Sequence, residues 1–329
     1  MKPKKAIAYG TLLVSFLLLA LVLWKADWSI IQTKIRQIEV HDMAAVFVVY
    51  FIFCISKTFR LGAMLPKGVR PGFPALFRVM AKHGFYLSVL PGRLGDLVYA
   101  SLLKDSTGVA QGLGFASLYV VRVYDLLALS VMTTIAIWGA DLSTSQAARA
   151  ALAVMFAGSI LLAVFLQPTM RAAALLVHKL HSSMSGVFLL RIANAIEESA
   201  RELDEKTGLW SHVQLLGATA VSWLCIVLVY QVLLSAFDLD IPLTGTVLLV
   251  AMVNLVGLLP IQTIGGFGVK EGGLVMGFSV LGMSLESASS HAILVRFIVY
   301  LLPILFAGLI LFHFWIAGSA GGRSANSRE

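Results

Sequence analysis

The feature that most constrains this chain is a series of apolar stretches long enough to cross a bilayer. A helix needs about 20 residues to span about 30 Å of hydrocarbon. Six uninterrupted stretches are of that order: 6–24, 43–60, 114–139, 149–167, 212–237 and 291–316. With 59% hydrophobic and 13% charged residues, the chain has too little polar surface for a water-soluble fold. The sequence therefore predicts an all-α polytopic membrane protein with about six spanning helices.

Two further apolar stretches, 73–103 and 243–283, are long but interrupted. The residues that interrupt them are Pro91 and Gly92 in the first, and Pro260, Gly265 and Gly266 in the second. Such a break either kinks a spanning helix or turns the chain back toward the side it came from. We favour the second interpretation, because it keeps the basic residues on one side throughout. It predicts two re-entrant helical hairpins of opposite orientation, an arrangement typical of transporters.

The basic residues also predict the orientation. With the N-terminus inside, 17 Lys and Arg residues fall inside, and Lys25, Lys34 and Arg36 fall outside. Cytoplasmic loops carry such an excess, so both termini are predicted to be cytoplasmic. The basic start before 6–24 is typical of a signal peptide, but this apolar run is longer than about 15 residues and no cleavage site follows. We therefore interpret 6–24 as the first spanning helix.

The rest of the chain adds little. The amphipathic segment 28–38 suits a helix on the outer surface, and 187–206 suits one on the cytoplasmic surface. Residues 1–317 are predicted to form one membrane domain without internal sequence repeats, and 318–329 a disordered cytoplasmic tail. The basic residues form no single patch, so nucleic acid is not an expected partner. The sequence contains no metal-ligand cluster, cofactor motif or catalytic triad, so we expect no metal, no cofactor and no enzymatic activity.

Charged residues inside the apolar stretches are the candidate site, because each costs about 2.5–3.5 kcal/mol at the centre of a membrane helix. These residues are Arg93, Asp96, Arg122, Asp125, Lys270, Glu271 and Arg296. Arg93/Asp96 and Arg122/Asp125 share the spacing R-x-x-D, which predicts that each pair lies on one helix face and partly neutralises itself. Such pairs either only lock helices together or take part in binding.

Their position beside the helix breaks favours binding. The exposed N–H groups of half-helix ends attract anions, and Gly265, Gly266 and Gly268 allow close approach of the backbone. The four basic groups would neutralise an anionic headgroup such as phosphate. The three carboxylates would orient those cations or relay protons.

In the order LPGRLGD, VRVYDLLAL and LPIQTIGGFGVKEGG, with Arg296 beyond, the sequence resembles the flippase-like transmembrane region of bacterial lysylphosphatidylglycerol synthases. The resemblance covers about residues 1–317 and implies an inner-membrane protein that moves lipid between leaflets. Residues marked by it are Pro91, Gly92, Arg93, Gly95, Asp96, Arg122, Asp125, Pro260, Gly265, Gly266, Gly268, Glu271 and Arg296. The aminoacyl-transfer domain is absent, so lysyl transfer is not expected. Tyr99 stands where many relatives carry a basic residue, which bears on headgroup preference.

Three functions follow as hypotheses. The leading one is a translocase for an anionic lipid or a lipid-linked intermediate. The second is a non-catalytic scaffold or accessory subunit for a lipid or glycolipid biosynthetic enzyme, in which the charge pairs are structural. The third is an intramembrane lipid-modifying enzyme, with Asp96 and Glu271 as the acid and base.

Overall fold

The computed structural model describes residues 19–65, 71–90, 94–109, 111–139, 146–165, 209–258 and 266–325, with a few isolated positions outside these ranges. All regular secondary structure in these ranges is helical, as predicted. Residues 19–25 are helical, and the helices that follow are α1 Trp28–Gln37, α2 Val40–Met64, α3 Phe73–Val89, α4 Leu94–Thr107, α5 Gln111–Gly139, α6 Gln146–Val164, α7 Leu209–Ala236, α8 Leu243–Val256, α9 Val269–Val280 and α10 Leu285–Ala325.

Four segments of the described chain are long and apolar enough to span a membrane: Val40–Met64, Gly112–Gly139, His212–Ala236 and Leu285–His313. They confirm the spans predicted at 43–60, 114–139, 212–237 and 291–316. The fifth predicted span, 149–167, coincides with the 19-residue helix α6. The sixth, 6–24, lies mostly outside the described residues, as does most of 187–206. Of the tail predicted to be disordered, residues 318–325 are instead helical and continue α10, and 326–329 lie outside the described residues.

The amphipathic segment 28–38 forms helix α1; its position on the outer surface stays a prediction. Asp27 caps it, because its carboxylate accepts a hydrogen bond from the backbone N–H of Ser29 at 2.8 Å; hydrogen bonds from Ser29 also lower the pKa of that carboxyl. Lys34 of α1 lies 2.9 Å from Asp238, just after α7. The N–H of Asp27 donates to the Ser290 hydroxyl at 2.8 Å, near the start of α10. Helix α1, the end of α7 and the start of α10 therefore meet.

The first interrupted stretch forms a helical hairpin. Gly95 lies against Leu87, and the rings of Tyr99 and His83 are 4.7 Å apart between centroids. Tyr99 lies four residues after Gly95 in α4, whereas His83 lies four residues before Leu87 in α3. The two helices are therefore antiparallel. α3 ends at Val89, directly before the predicted break.

The second interrupted stretch is built the same way. Gly273 of α9 packs on Val253 of α8, and Gly277 packs on Leu249, which again makes the two helices antiparallel. At 1.5 Å per residue, α3, α4, α8 and α9 are about 26, 21, 21 and 18 Å long, each shorter than the hydrocarbon core. The alternative of kinked spanning helices is therefore excluded. That the hairpins are re-entrant in a bilayer stays a prediction.

Helix α5 relates the two hairpins. Near its start, Gly114 packs on Ala100 in the middle of α4; at its other end, Gly139 packs on Thr244, the second residue of α8. The base of the first hairpin therefore lies at one end of α5 and the base of the second at the other. Both tips are directed toward the middle of α5, which is the geometry that opposite orientation requires.

The helices also repeat in kind. A long helix, a hairpin and a second long helix follow one another as α2 to α5 and again as α7 to α10. Two separate apolar clusters accompany this order. One surrounds the first hairpin and includes Leu61, Val79, Leu103 and Val120; the other surrounds the second hairpin and includes Leu233, Leu249, Leu274 and Phe278. No such repeat is visible in the sequence, because the two halves share the order and length of their helices and not their residues.

Close packing within the first hairpin requires glycine at position 95. A Cβ there would lie 2.8 Å from the backbone nitrogen of Leu87, which must then shift. We expect Gly95→Val to destabilise the protein by about 1–3 kcal/mol, as overpacking usually does, with a lower melting temperature in detergent. Gly217→Val is the control, because no atom lies within 4 Å of a Cβ at that position. Equal melting temperatures for the two variants would contradict this packing.

Candidate functional site

The tip of the first hairpin carries Asp96, the third residue of α4. Its Oδ2 accepts a hydrogen bond from Nη2 of Arg122 at 2.8 Å, and its Oδ1 lies 3.3 Å from Nε2 of His83. A carboxylate in the first turn of a helix is also favoured by the helix dipole. The prediction that Arg122 pairs with Asp125 on its own helix is wrong, because the arginine crosses to the hairpin tip instead. Arg93 lies outside the described residues.

Asp125 pairs with a residue that the sequence analysis did not select. Nη1 of Arg60, in α2, donates to its Oδ1 at 2.6 Å, and Nε1 of Trp223, in α7, donates to the same oxygen at 3.2 Å. The same guanidinium nitrogen lies 3.4 Å from Oγ1 of Thr219. Arg60 stands at the end of the apolar run 43–60. Its side chain is only 6% exposed, so it belongs to the site.

The second hairpin holds Glu271, the third residue of α9. Its Oε2 accepts a hydrogen bond from the N–H of Gly268 at 2.6 Å, and its Oε1 lies 3.5 Å from Nε of Arg296 in α10. The guanidinium of Arg296 also lies 5.8 Å from the ring centroids of Phe267 and Tyr300. This distance is within the range of cation–π attraction. The pair is almost fully buried.

The backbone around Glu271 depends on glycine. Gly266 and Gly268 have φ angles of 76° and 84°, a region in which other residues are strained. A Cβ at Gly266 would lie 2.9 Å from Cε of Lys270, so the stem of that lysine covers the turn. The glycines therefore shape the start of α9. Four predicted backbone residues lie outside the described part of the chain: Pro91, Gly92, Pro260 and Gly265.

The two hairpin tips form one electrostatic unit. Lys270 is close enough to interact with Arg122 as well as with Arg296 and Glu271. Lys57, in α2, likewise lies within electrostatic range of Arg60, Arg122 and Asp125. Among the described residues the unit carries five basic groups and three carboxylates, and so has a positive formal charge: Lys57, Arg60, Arg122, Lys270, Arg296, Asp96, Asp125 and Glu271. We call these eight residues the charge cluster.

The cluster repeats between the two halves. In each half the acid is the third residue of the second hairpin helix, and its arginine is the twelfth residue of the long helix that follows. Asp96 and Arg122 are thus the counterparts of Glu271 and Arg296. The two pairs differ in exposure, because the side chain of Arg122 is 49% exposed and that of Arg296 only 6%.

His83 and Tyr99 complete the first tip. Sequence reasoning missed His83, although a histidine inside the apolar stretch 73–103 was a usable signal. The Tyr99 hydroxyl hydrogen-bonds with the hydroxyl of Ser117 at 3.0 Å, and both side chains are buried. Tyr99 therefore places a neutral phenol between His83 and α5.

The buried Arg60–Asp125 pair gives a testable prediction. Removing one partner of a buried ion pair is far more destabilising than replacing both by apolar residues. We expect Arg60→Met to destabilise the protein by about 3 kcal/mol, and Arg60→Met with Asp125→Leu to recover much of that loss. The measurement is thermal unfolding of each variant in detergent. Additive losses in the double variant would show that the two side chains do not stabilise each other.

Residues 7–307 match the family described as the lysylphosphatidylglycerol synthase TM region. No curated protein and no solved structure matches the chain. The match includes both hairpins and all eight residues of the charge cluster. The chain belongs to the lysylphosphatidylglycerol synthase transmembrane-region family.

Proposed function

We propose that this multi-pass membrane protein is a lipid translocase, which moves an anionic lipid or a lipid-linked intermediate across the bacterial inner membrane. The observation that carries the proposal is the half-exposed Arg122, which is bound to Asp96 at the first hairpin tip and lies within electrostatic range of Lys270 at the second. Family membership supports a lipid-related role. The proposal includes no chemical change in the lipid.

The charge balance of the cluster supports an anionic headgroup. Among the described residues, five basic groups accompany three carboxylates, so the cluster has a surplus of formal positive charge. Buried charges are stable only when they are paired. An anion such as a phosphodiester would supply the missing negative charge, whereas a cationic headgroup would add to the surplus.

The contacts of Asp96 suggest how the headgroup is accepted. Asp96 holds Arg122 through one oxygen and approaches His83 with the other. An arriving phosphate can replace Asp96 as the partner of Arg122, while His83 keeps the carboxylate in place. Exchange of one partner for another avoids leaving an unpaired charge in the membrane, which is the main cost of moving a headgroup through it.

The position of the cluster supports transfer between leaflets. Arg122 lies near the middle of α5, and the bases of the two hairpins lie at its opposite ends. Transporters commonly bind their substrate near the midplane between inverted repeats and expose the site to each side in turn. We place the side on which Lys34 and Asp238 meet outside and both termini in the cytoplasm, following the excess of basic residues.

The proposal is tested by substituting Arg122. Purified protein is reconstituted into phosphatidylcholine vesicles that contain a trace of fluorescent phosphatidylglycerol, and transfer is measured by quenching of the outer leaflet. We expect Arg122→Gln to slow transfer by about a hundredfold, since a charged hydrogen bond is worth about 1.5–3 kcal/mol. Arg36→Gln on the exposed face of α1 is the control, and it should transfer lipid at the unchanged rate.

A second variant separates binding from folding. Arg122→Gln leaves Asp96 without its arginine, so Arg122→Gln with Asp96→Asn is measured as well. We expect the double variant to fold with a normal melting temperature and still to transfer lipid slowly. Transfer at the wild-type rate by either variant contradicts the translocase proposal and favours the scaffold hypothesis.

A further inference from the structure

Two lysines of the charge cluster have no part in its ion pairs. Each of the three arginines pairs with one of the three carboxylates, at nitrogen–oxygen distances of 2.6, 2.8 and 3.5 Å. Lys57 and Lys270 are left over. Among the described residues, no carboxylate oxygen lies within 4.0 Å of the nitrogen of either lysine. The surplus positive charge of the cluster therefore belongs to these two side chains.

Both lysines lie near Arg122 and are half-buried. Nζ of Lys57, in α2, is 5.1 Å from the centre of the Phe53 ring and within electrostatic range of Arg122. Lys270, in α9, covers the turn at Gly266 and is also within electrostatic range of Arg122. Arg122 of α5 is therefore the arginine that both lysines approach, one from each half of the protein.

Arg122 can bind a further group while it still holds Asp96. A guanidinium has five N–H donors, and among the described residues Arg122 uses only Nη2, toward Asp96. The side chain is half-exposed, so the other donors are accessible. A phosphoryl group accepts two parallel hydrogen bonds from one guanidinium. An arriving phosphoryl group can therefore contact Arg122 before Arg122 releases Asp96.

Lys270 is an addition to the framework that the two halves share. It is the second residue of α9, whereas the second residue of α4 is Gly95, which packs directly on Leu87. The acid that comes next, and its arginine on the following long helix, are present in both halves. Pairing a hairpin with a long helix therefore does not require this lysine, and its ammonium group is available to a ligand.

The tips of the hairpins contain no acid that could balance the lysines. The sequence is LPGR over 90–93 and GLLPIQTIGGFG over 257–268. The first tip adds one more base, Arg93, and the second adds no charge. The positive surplus is therefore not cancelled within the hairpin tips themselves, which leaves a ligand as the source of negative charge.

The number of surplus lysines indicates how much charge the ligand carries. A charge held away from water is costly unless it is paired, and two lysines require two negative charges. A phosphodiester carries one, whereas a terminal phosphoryl group carries about 1.5–2 at neutral pH. We infer that the charge cluster selects a lipid whose headgroup ends in a phosphoryl group, and that Lys57 and Lys270 are the residues that select it.

This inference rests on the proposed function and deepens it by naming the substrate class. The terminal phosphoryl group belongs to a lipid phosphomonoester or a lipid diphosphate. Arg122 binds it as it would bind any phosphate, and the two lysines contact its additional negative charge. A phosphodiester lipid neutralises only one of the lysines and is therefore the poorer substrate.

The test compares two lipids that differ by one charge. Phosphatidate ends in a phosphomonoester, and phosphatidylmethanol carries a methyl ester on the same phosphate. Each bears the same fluorescent acyl chain and is a trace component of phosphatidylcholine vesicles that contain the purified protein. The assay is run at about pH 8, because a phosphomonoester loses its second proton near about pH 6.

We expect the wild-type protein to transfer phosphatidate about tenfold faster than phosphatidylmethanol, because one further hydrogen bond between charged groups contributes at least that factor. Transfer in protein-free vesicles is subtracted for each lipid. Equal rates for the two lipids would overturn the inference without any variant being needed.

Lys57→Gln and Lys270→Gln identify the residues responsible. Neither change breaks an ion pair among the described residues, and each should lower the preference for phosphatidate about tenfold while phosphatidylmethanol is still transferred. Lys104→Gln is the matched control, because Lys104 is exposed near the end of α4, and it should keep the preference. A variant with a lowered melting temperature is replaced by methionine at the same position. An unchanged preference in both lysine variants contradicts their role.

Glycerol 3-phosphate distinguishes a lipid from a soluble ligand, because it has the same terminal phosphoryl group without acyl chains. At the concentration of the vesicle lipid it should leave phosphatidate transfer unchanged, and inhibition would mean that the ligand is a soluble phosphomonoester. The proposed function itself fails if the wild type moves neither lipid, or if Arg122→Gln moves both at the wild-type rate. The inference alone fails if Arg122→Gln is slow and the wild type does not distinguish the two lipids.

Discussion

Asp96, Asp125 and Glu271 each have a basic partner on a different helix, and the arrangement of the whole protein follows from these three pairings. A carboxylate at membrane depth must be paired or neutralised, so the hairpin tips can stay buried only where arginines of neighbouring helices reach them. Arg122 connects the first hairpin to α5, Arg296 connects the second to α10, and Arg60 connects α2 to α5. The pairs therefore hold together helices that, as single apolar surfaces, would gain little by leaving lipid.

Much of this organisation could be predicted from the sequence. Four spans, the helix at 28–38 and the two breaks follow from apolar length, amphipathic spacing and proline, which act locally. The choice of partners could not be predicted, because it depends on how α2, α4, α5 and α7 are rotated against one another. The R-x-x-D spacing suggested pairing within a helix, and the packing directed Arg122 to Asp96 and Arg60 to Asp125 instead. His83 and Arg60 were missed for the same reason: each stands on a different helix from the acid it approaches, 13 residues away for His83 and 65 for Arg60.

The two halves are alike in their charges and different in their packing. Each places an acid at a hairpin tip opposite an arginine of the following helix, but only the first leaves that arginine half-exposed. An apolar groove borders α5 of the first, whereas Phe306 in α10 of the second packs against Phe47, Tyr50 and Phe51 of α2, within the part of the chain that the structure describes. The second half is thus the more tightly packed counterpart of the first.

The order of the pairs along the chain has a consequence for assembly. Asp96 is synthesised 26 residues before Arg122, and Glu271 is synthesised 25 residues before Arg296, whereas Arg60 precedes Asp125. Each hairpin is therefore followed in the chain by the helix that carries the arginine of its acid. The next long helix supplies the arginine and so fixes the hairpin in its final position. We expect insertion to proceed in two successive steps, and in each step a hairpin is fixed by the helix made immediately after it.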